Sequence, residues 1–500
     1  MSVMKLEQLV SGLDYELKNG TLDVEVTDIQ NDSRKVKEGS LFFCITGAVF
    51  DGHKYAAEVA QKGAAVLVVE KDVELPKQTD VTVIKVFSTR HAMGVISAAF
   101  YGHPSDKLTV IGITGTKGKT TTTYMIKSML DHAGHKCGLI GTIETIIGEQ
   151  KIPANNTTPE SLVLQKSLAD MVDAGLDCVV MEVSSQGLML DRVAGVSFDY
   201  GIFTNLSEDH IGPNEHKDFN EYLSWKAKLF TLCKVGIFNF DDENCEAILK
   251  GHTCSVISYG LKPECDYKAE NLSLFKKDGY LGIRYHLDGK YQEEVTVGMP
   301  GEFSVHNSLA AIAVASQMNV PMDTILDILT HISVKGRVEL VPISNAFTLL
   351  IDYAHNAMSL ESILSTLSAY HPNRLIALFG CGGNRSKVRR YEMGEVAGKM
   401  ADFTIITSDN PRNEEPQAII DDIKIGMEKT DGKYIEIISR KEAIRYAIMN
   451  AKEGDVIVLA GKGHEDYQEI KGKKYHMDER DLIKEILEEE DVTKICGYHN

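Results

Sequence analysis

The sequence lacks any apolar run long enough to cross a membrane, and it lacks paired-cysteine motifs. Its longest apolar stretches, such as AAVLVV at 64–69, are strand-sized and far below the ~20 residues of a membrane span. The opening residues have no long apolar signal-peptide core. The nine cysteines are dispersed, without a C-x-x-C pair or a Cys/His spacing suited to zinc. We therefore expect a soluble, cytoplasmic protein with reduced thiols and no membrane insertion.

Positive charge is also scarce. The chain has 53 Lys and Arg against 72 Asp and Glu, which gives a formal net charge of -19. Since phosphate backbones attract basic surfaces, this balance disfavours nucleic acid as a partner, and it disfavours docking on anionic lipid. Small anionic ligands are not excluded, because they need only a local cationic pocket. We expect a monomer.

Apolar strand patterns alternate with helical patterns along most of the chain. Five hundred residues are too many for one core. Changes in pattern divide the chain into three blocks, 1–106, 107–334 and 335–500. The alternation predicts an α/β protein of three domains with parallel sheets wrapped by helices. In the third block, four of five strand patterns end in polar motifs, so we expect a ligand beyond the strand ends.

A glycine-rich loop joins a strand pattern to a helical one. KLTVIGIT at 107–114 is typical of a buried strand, and TTTYMIKSMLDHAG at 121–134 has helical spacing with a glycine stop. Between them runs TGTKGKT at 114–120, which indicates a phosphate-binding loop at a helix N-terminus. Lys119 would neutralise the β- and γ-phosphates, and the Thr120 hydroxyl would ligate Mg²⁺. No N-K-x-D base-reading motif is present, so ATP is favoured over GTP.

A metal ion held by one threonine needs further ligands. Glu182 ends the apolar run CVVMEV, which is a suitable place for a carboxylate ligand. His210, in TNLSEDHIGPNEH, lies just after another strand pattern. Taken singly, each residue has an ordinary alternative, a solvated or helix-capping acid for Glu182 and a structural histidine for His210. Together with the loop, they indicate metal ligands.

The order of motifs resembles the Mur ligases over nearly the whole chain. The motifs are TGTKGKTT, EVSSQGL, NLSEDH, YLSWKAKLF, HNSLAA, GRVE, DYAHN, GCGGNR, SDNPR and GKGHEDYQ. The resemblance is greatest to the MurE type, which adds the third amino acid of the peptidoglycan peptide. It implies a domain for the UDP end of the substrate, a central ATPase domain and a C-terminal Rossmann-like domain that carries the incoming amino acid. It also implies an acyl phosphate made from ATP and UDP-MurNAc-L-Ala-D-Glu.

The resemblance assigns roles around the nucleotide. Lys226 matches a family lysine that becomes carbamylated, with Lys228 as the alternative register. The residues that resemble the Mg²⁺ ligands are Thr120, Glu182, His210 and carbamylated Lys226. The catalytic residues implied are Lys119, Lys226, His210 and Glu182. The ATP-binding positions implied are Gly115, Thr116, Lys117, Gly118, Lys119, Thr120, Thr121, Asn307, Arg337 and Asp352.

The resemblance also assigns positions to the two other substrates. Those matching the UDP-sugar peptide are Ser33, Ala48, Val49, Phe50, Asn156, Thr157, Thr158, Ser184 and Arg192. Those matching diaminopimelate are Arg390, Asp409, Asn410, Pro411, Arg412, Gly461 and Glu465.

SDNPR selects between two candidate amino acids. Relatives that add meso-diaminopimelate carry D-N-P-R, whereas many lysine-adding relatives lack the arginine. Diaminopimelate differs from lysine by one distal carboxylate, which the guanidinium of Arg412 could bind through two hydrogen bonds. Arg390 stands where a second arginine is expected. Taken alone, SDNPR would be a turn that follows a strand.

Three alternatives stay open at this point. One is a lysine-adding enzyme of the same type. Another is a different amide ligase of the superfamily, such as a folylpolyglutamate synthetase. A third, from another class, is a nucleotide-switched binding protein, which would hydrolyse ATP without an amino acid.

Overall fold

The computed structural model describes residues 3–47, 50–76, 79–212 and 215–498. The chain forms two compact units, one of residues 1–265 with 310–321 and the other of residues 266–309 with 322–500. Both units are α/β, as predicted. No helix in the described part of the chain combines the length and apolar character that a membrane span requires. The three domains delimited from the sequence, 1–106, 107–334 and 335–500, stay a prediction.

The first unit begins with a small five-stranded sheet. Its strand order is Tyr15–Asn19, Thr82–Val86, Val66–Val69, Ser40–Phe43 and Asp28–Gln30, and only the first strand runs antiparallel to its neighbour. The strands Met4–Lys5 and Glu25–Val26 form a separate two-stranded pair.

A larger sheet follows in the same unit. Its order is Gln150–Pro153, Glu144–Ile147, Cys137–Ile140, Cys178–Glu182, Thr109–Thr114, Phe198–Phe203, Cys233–Asn239 and Ser255–Gly260. The last six strands are parallel. The strand Thr109–Thr114 therefore lies between Cys178–Glu182 and Phe198–Phe203, and their carboxyl ends share one edge. This places the glycine loop, Glu182 and the segment after Phe203 together.

The second unit contains an antiparallel meander and a mostly parallel sheet. The meander strands are Tyr267–Lys277, Tyr280–Gly289 and Glu293–Val297. The other sheet has the order Glu339–Leu340, Thr348–Asp352, Val456–Ala460, Leu375–Phe379, Phe403–Ile406 and Tyr434–Glu436, and only its first strand is antiparallel. A hairpin, Tyr467–Ile470 with Lys473–His476, lies outside it.

Helices connect most of the strands, and several start at side-chain caps. Ser88, Asp218, Asn356, Ser439 and Asp478 each accept a hydrogen bond from a backbone N–H in the first turn. The α-helices are Leu6–Leu9, Ala56–Gln61, Thr89–Phe100, Lys119–His132, Ser161–Asp173, Ser185–Met189, Phe219–Ala227, Cys245–Leu249, Phe303–Gln317, Met322–His331, Ala357–Ser368, Lys387–Met400, Pro416–Met427, Arg440–Met449 and Glu479–Glu489. Short 3₁₀ helices span Gly52–Tyr55, Pro104–Lys107, Lys228–Thr231 and Val492–Lys494.

Candidate functional site

The glycine loop closes tightly after its strand. Gly115 has φ 150°, and a Cβ there would lie 1.9 Å from the Thr204 hydroxyl oxygen, so only glycine fits. Gly118, at φ 86°, precedes the helix that starts at Lys119. The Lys119 ammonium donates to the carbonyl oxygens of Gly115 and Thr116 at 2.7 and 3.0 Å. The loop therefore holds a cation and helix N–H groups at one strand end, which suits a phosphate.

The other loop positions are fixed by the neighbouring strand and helix. The Lys117 N–H donates to the Asn205 side-chain oxygen at 2.9 Å. The Thr116 hydroxyl lies 3.1 Å from the Tyr222 hydroxyl, and Thr121 is buried.

Glu182 lies beside the loop as expected. Its carboxylate accepts a hydrogen bond from the Thr120 hydroxyl at 2.9 Å, and Thr142 donates both its N–H and its hydroxyl to it at 2.9 and 3.0 Å. Glu182 is fully buried. A buried carboxylate and a hydroxyl side by side form a set of oxygen donors that suits a hard cation.

Lys226 lies on the other side of the loop and is also buried. Its ammonium donates to the Gly115 carbonyl oxygen at 2.9 Å and lies 4.5 Å from the centre of the Tyr222 ring. Among the described residues, no carboxylate forms an ion pair with it. Burial, together with the nearby Lys119 charge, holds the pKa of Lys226 well below its usual value. Lys228, the alternative register, lies nearer the surface and pairs with Asp191 at 3.5 Å.

Two histidines follow the next strand, and they differ in environment. His210 is half-exposed, and its Nδ1 lies 3.0 Å from Glu215. His216, which the sequence analysis did not select, is fully buried with its Nε2 2.9 Å from the Ser185 hydroxyl. Burial lowers the pKa of His216. Both stand in the same DHIGPNEH segment, so the motif alone could have suggested either.

Four of the positions matched to the UDP-sugar peptide converge next to Glu182. The Thr158 hydroxyl donates to the Glu182 carbonyl oxygen at 3.0 Å and lies 3.1 Å from the Ser184 hydroxyl. Arg192 donates to the Thr158 carbonyl oxygen at 3.0 Å, and the Thr157 hydroxyl contacts that of Thr142 at 3.0 Å. These side chains form one polar patch beside the glycine loop.

The remaining positions of that set lie elsewhere. Asn156 is exposed. Ser33 offers its carbonyl oxygen to Lys62 at 3.1 Å, and Phe50 is 73% exposed. An exposed phenylalanine on a loop is available to stack on a ligand. Ala48 and Val49 lie outside the described residues.

In the second unit, Arg337 and Asp352 are neighbours. The Arg337 guanidinium stacks 4.9 Å from the centre of the Tyr353 ring. Asp352 accepts hydrogen bonds from the N–H groups of Val338 and Ala354 at 2.8 and 2.9 Å. Val338 has φ 45°, a left-handed conformation that is strained for a β-branched residue. Asn307 is buried in the helix Phe303–Gln317.

A cavity of about 290 Å³ opens at the carboxyl ends of the parallel strands in the second unit. Six of the seven positions matched to diaminopimelate line it, namely Arg390, Asp409, Asn410, Arg412, Gly461 and Glu465. Pro411 stands between two of them in the sequence. Two further arginines, Arg385 and Arg389, also line the cavity, and the sequence analysis did not select them. The cavity thus combines several guanidinium groups with carboxylates.

Arg412 is held at the cavity by the backbone and by one acid. It has φ 52°, and its N–H donates to the Glu469 carbonyl oxygen at 2.9 Å. Its Nε donates to the Glu469 carboxylate at 3.2 Å, and Nη1 donates to the Gly383 carbonyl oxygen at 2.7 Å. A Cβ at Gly383 would lie 1.9 Å from the Pro411 carbonyl oxygen, so the glycine permits this close approach.

Lys462, which the sequence analysis did not select, organises the acidic side of the cavity. It is fully buried and donates to Glu465 at 2.8 Å and to the Asn410 side-chain oxygen at 3.1 Å. Asn410 in turn donates to the same Glu465 oxygen at 2.9 Å. These contacts fix the Glu465 carboxylate in one orientation. Lys462 is part of the motif GKGHE, so the sequence contained a signal for it.

Arg390 lines the cavity and also forms buried ion pairs. Its side chain is 1% exposed and pairs with Glu414 and Asp422, each at 2.8 Å. Two carboxylates pair with its terminal nitrogens, because the helix Lys387–Met400 packs against the segment that carries Glu414 and the helical Asp422. Among the described residues, its buried Nε has no hydrogen-bond partner. The ion pairs give Arg390 a structural role at the cavity wall, and its contact with diaminopimelate stays a prediction.

This ion pair predicts a stability effect. Arg390→Met should lower the free energy of unfolding by about 3 kcal/mol, since the buried Asp422 carboxylate loses its buried partner and keeps only the exposed Lys387, at 3.2 Å. Chemical denaturation monitored by circular dichroism would measure it. The double variant with Asp422→Asn should recover part of the loss. A single variant as stable as the wild type would contradict the assignment.

Comparison with known proteins identifies relatives along the chain. Family models match as follows: "Mur ligase family, catalytic domain" at residues 25–101, "Mur ligase middle domain" at 113–315 and "Mur ligase, glutamate ligase domain" at 336–463.

Curated relatives match over nearly the full length. The UDP-N-acetylmuramoyl-L-alanyl-D-glutamate–2,6-diaminopimelate ligase of Clostridium perfringens is 44% identical, covering 97% of this chain and 100% of the relative. The protein of the same name from Bacillus licheniformis is 40% identical, covering 97% and 99%.

Solved structures share the fold. A structure carrying the same ligase name has a TM-score of 0.71 at 27% identity, covering 97% of this chain and 99% of that one. MurF from Acinetobacter baumannii has a TM-score of 0.61 at 18% identity, covering 98% and 100%, which is a likeness of fold alone.

Proposed function

This chain belongs to the Mur ligase family, and from that premise we propose that it joins meso-diaminopimelate to UDP-MurNAc-L-Ala-D-Glu with ATP, in peptidoglycan synthesis. The observation that carries the proposal is the cavity of the second unit, where Arg412 and further arginines face Asp409 and Glu465. Diaminopimelate has an ammonium and a carboxylate at each end, so it can use both kinds of group. The names of the 40–45% identical relatives support the same substrates.

The glycine loop supports ATP as the energy source. Lys119 and the N-terminal N–H groups of its helix are placed to bind phosphates. The γ-carboxylate of the D-glutamate attacks the γ-phosphorus of ATP, ADP leaves, and an acyl phosphate forms. The diaminopimelate amine then attacks the acyl carbon, and phosphate leaves. The protein positions the reactants and stabilises phosphate charge, so it needs no nucleophile of its own.

The first unit, which contains the glycine loop, also has a set of oxygen donors that fits Mg²⁺. Thr120 and Glu182 place two oxygen ligands 2.9 Å apart in a buried position beside the loop. Mg²⁺ bound there would neutralise charge on the transferred phosphate. Lys226, once carbamylated, would add an anionic oxygen ligand, and His210 stays a predicted ligand. The patch of Thr157, Thr158, Ser184 and Arg192 would hold the peptide end of the UDP substrate beside them.

A phosphate-release assay tests this function. We expect release to require both UDP-MurNAc-L-Ala-D-Glu and diaminopimelate, with much weaker activity on lysine and ornithine. Release without an amino acid would favour the nucleotide-switched binding protein. Preference for lysine would keep the assignment as a ligase but change the added amino acid from diaminopimelate to lysine. Phosphate release with a folate substrate would favour an enzyme of the folylpolyglutamate synthetase type.

Arg412 supplies a test of the amino-acid choice. Arg412→Ala should lower kcat/KM for diaminopimelate by roughly 100-fold, about 2.7 kcal/mol, because a charge-assisted contact to the distal carboxylate is lost. The weak use of lysine should stay almost unchanged, since lysine has no carboxylate there. Steady-state kinetics with both amino acids would measure the two ratios.

Arg412→Lys is the matched control, because it keeps the charge but cannot make two parallel hydrogen bonds. It should fall between the wild type and the alanine variant. The KM for ATP should stay constant in both variants. An equal loss for diaminopimelate and lysine would show that Arg412 does not select the amino acid.

A further inference from the structure

Three different metal-ligating side chains converge at the edge of the large sheet opposite the glycine loop. They are His135, Asp177 and Cys178. Within the described ranges, this is the one group of three or more histidine, cysteine or acidic residues whose donor atoms all lie within 4.8 Å of one another. An imidazole, a carboxylate and a thiol at one point differ from a cluster of surface acids, because each offers a different ligand atom.

The fold assembles this group from distant parts of the chain. His135 follows the helix that begins at the glycine loop, Lys119–His132, and precedes the strand Cys137–Ile140. Cys178 begins the strand that ends at Glu182 and pairs in register with Cys137. A second sulfur therefore borders the cluster. No short sequence motif could reveal it, since His135 and Cys178 belong to different strand connections.

The geometry orients the ligand atoms. The Lys136 N–H donates to Asp177 Oδ1 at 3.1 Å, which leaves Asp177 Oδ2 facing His135 Nδ1 at 3.6 Å. Such a backbone contact orients the carboxylate, as hydrogen bonds to the ligands do in known metal sites. The Cys178 sulfur is fully buried, whereas Asp177 is exposed and His135 partly so, which gives a hydrated ion a path in.

We propose that His135, Asp177 and Cys178 bind a divalent cation of the zinc class. Sulfur, nitrogen and carboxylate oxygen together are typical zinc ligands, and three of them leave a fourth position for water. Ligand atoms around zinc lie about 3.3–3.8 Å apart, as its bond lengths require. The donor atoms of the group lie within 4.8 Å of one another, so the His135 ring and the Cys178 side chain would move toward the Asp177 carboxylate when an ion binds. On binding, the Cys178 thiol releases its proton to solvent.

The site is separate from the nucleotide loop. Cys178 and Glu182 stand at opposite ends of one five-residue strand, which separates their Cα atoms by roughly 13 Å. His135 follows the C-terminal end of the helix Lys119–His132, whose N-terminal end is at the glycine loop. A bound ion would therefore link this helix to the strand Cys178–Glu182. Metal binding should therefore raise the melting temperature of the protein.

Titration of the untagged, metal-free protein with Co²⁺ tests the proposal. We expect one equivalent to produce a thiolate-to-cobalt charge-transfer absorption, which Zn²⁺ then displaces. Cys178→Ser should abolish this absorption. His135→Gln should weaken binding roughly 100-fold or more, since even supporting residues of metal sites contribute 10- to 100-fold. Cys254→Ser, at a buried cysteine just before the strand Ser255–Gly260, is the matched control and should bind like the wild type.

Three outcomes would overturn the proposal. They are the absence of a charge-transfer absorption, wild-type affinity in His135→Gln, and equal loss of the absorption in Cys254→Ser. If Cys178→Ser folds poorly, His135→Gln still tests the proposal, because His135 is partly exposed. The thiolate absorption distinguishes Co²⁺ bound at this cluster from Co²⁺ bound at Thr120 and Glu182, because those two residues offer only oxygen ligands.

Discussion

Lys226→Ala should reduce kcat by roughly 1,000-fold or more, about 4 kcal/mol, while leaving the fold intact. Lys226 lies buried against the Gly115 carbonyl oxygen and, in the described part of the chain, has no carboxylate partner. A buried ammonium beside Lys119 would oppose cation binding at Thr120 and Glu182. Carbamylation would resolve this conflict. The ammonium first loses one proton, the free amine nitrogen bonds to the carbon of CO₂, a second proton leaves, and the side chain becomes an anion.

Two measurements separate this interpretation from a purely structural lysine. Small carboxylates such as acetate should partly restore activity to Lys226→Ala by occupying the position of the carbamate. Carbon-13 bicarbonate should give the wild type a carbamate signal in the NMR spectrum that the variant lacks. Lys228→Ala, two positions away at the surface, should retain most activity. Loss of the signal in Lys228→Ala alone would move the modification there.

The sequence predicts the strands because apolar runs of strand length are bounded by glycine and polar residues. All five β runs assigned to the third block are confirmed as strands of one mostly parallel sheet. The pairing of Thr109–Thr114 between two other strands also explains why Glu182 reaches the glycine loop. Both results follow from local pattern and from the common edge of parallel strands.

What the sequence could not predict depends on packing between distant segments. The ion pairs of Arg390 with Glu414 and Asp422 depend on how residues 414–422 pack against the helix Lys387–Met400, so its motif indicated the residue type but not these partners. His216 is buried against Ser185, whereas His210 is half-exposed, and one motif contains both. The convergence of His135 with Cys178 likewise requires the strand order.

Lys119→Ala should also reduce kcat by roughly 1,000-fold. The Lys119 ammonium donates hydrogen bonds to the Gly115 and Thr116 carbonyl oxygens. When ATP binds, phosphate oxygens would replace these two carbonyl oxygens as its acceptors. Negative charge on the transferred phosphoryl group needs this fixed cation, and removal of such a group costs about 3–4 kcal/mol. Single-turnover measurement of phosphate release would report the chemical step directly.

The effect of Lys119→Ala should fall on catalysis and nucleotide binding and not on folding. Thermal unfolding should therefore match the wild type, since the lysine ends in hydrogen bonds to loop carbonyl groups and lies outside the hydrophobic core. Lys166→Ala, which removes an exposed lysine paired with Asp170, is the control and should leave the rate unchanged. Binding of diaminopimelate should also persist, because its proposed cavity lies in the second unit. A variant with near-normal single-turnover rates would mean that the glycine loop does not bind the reacting phosphate.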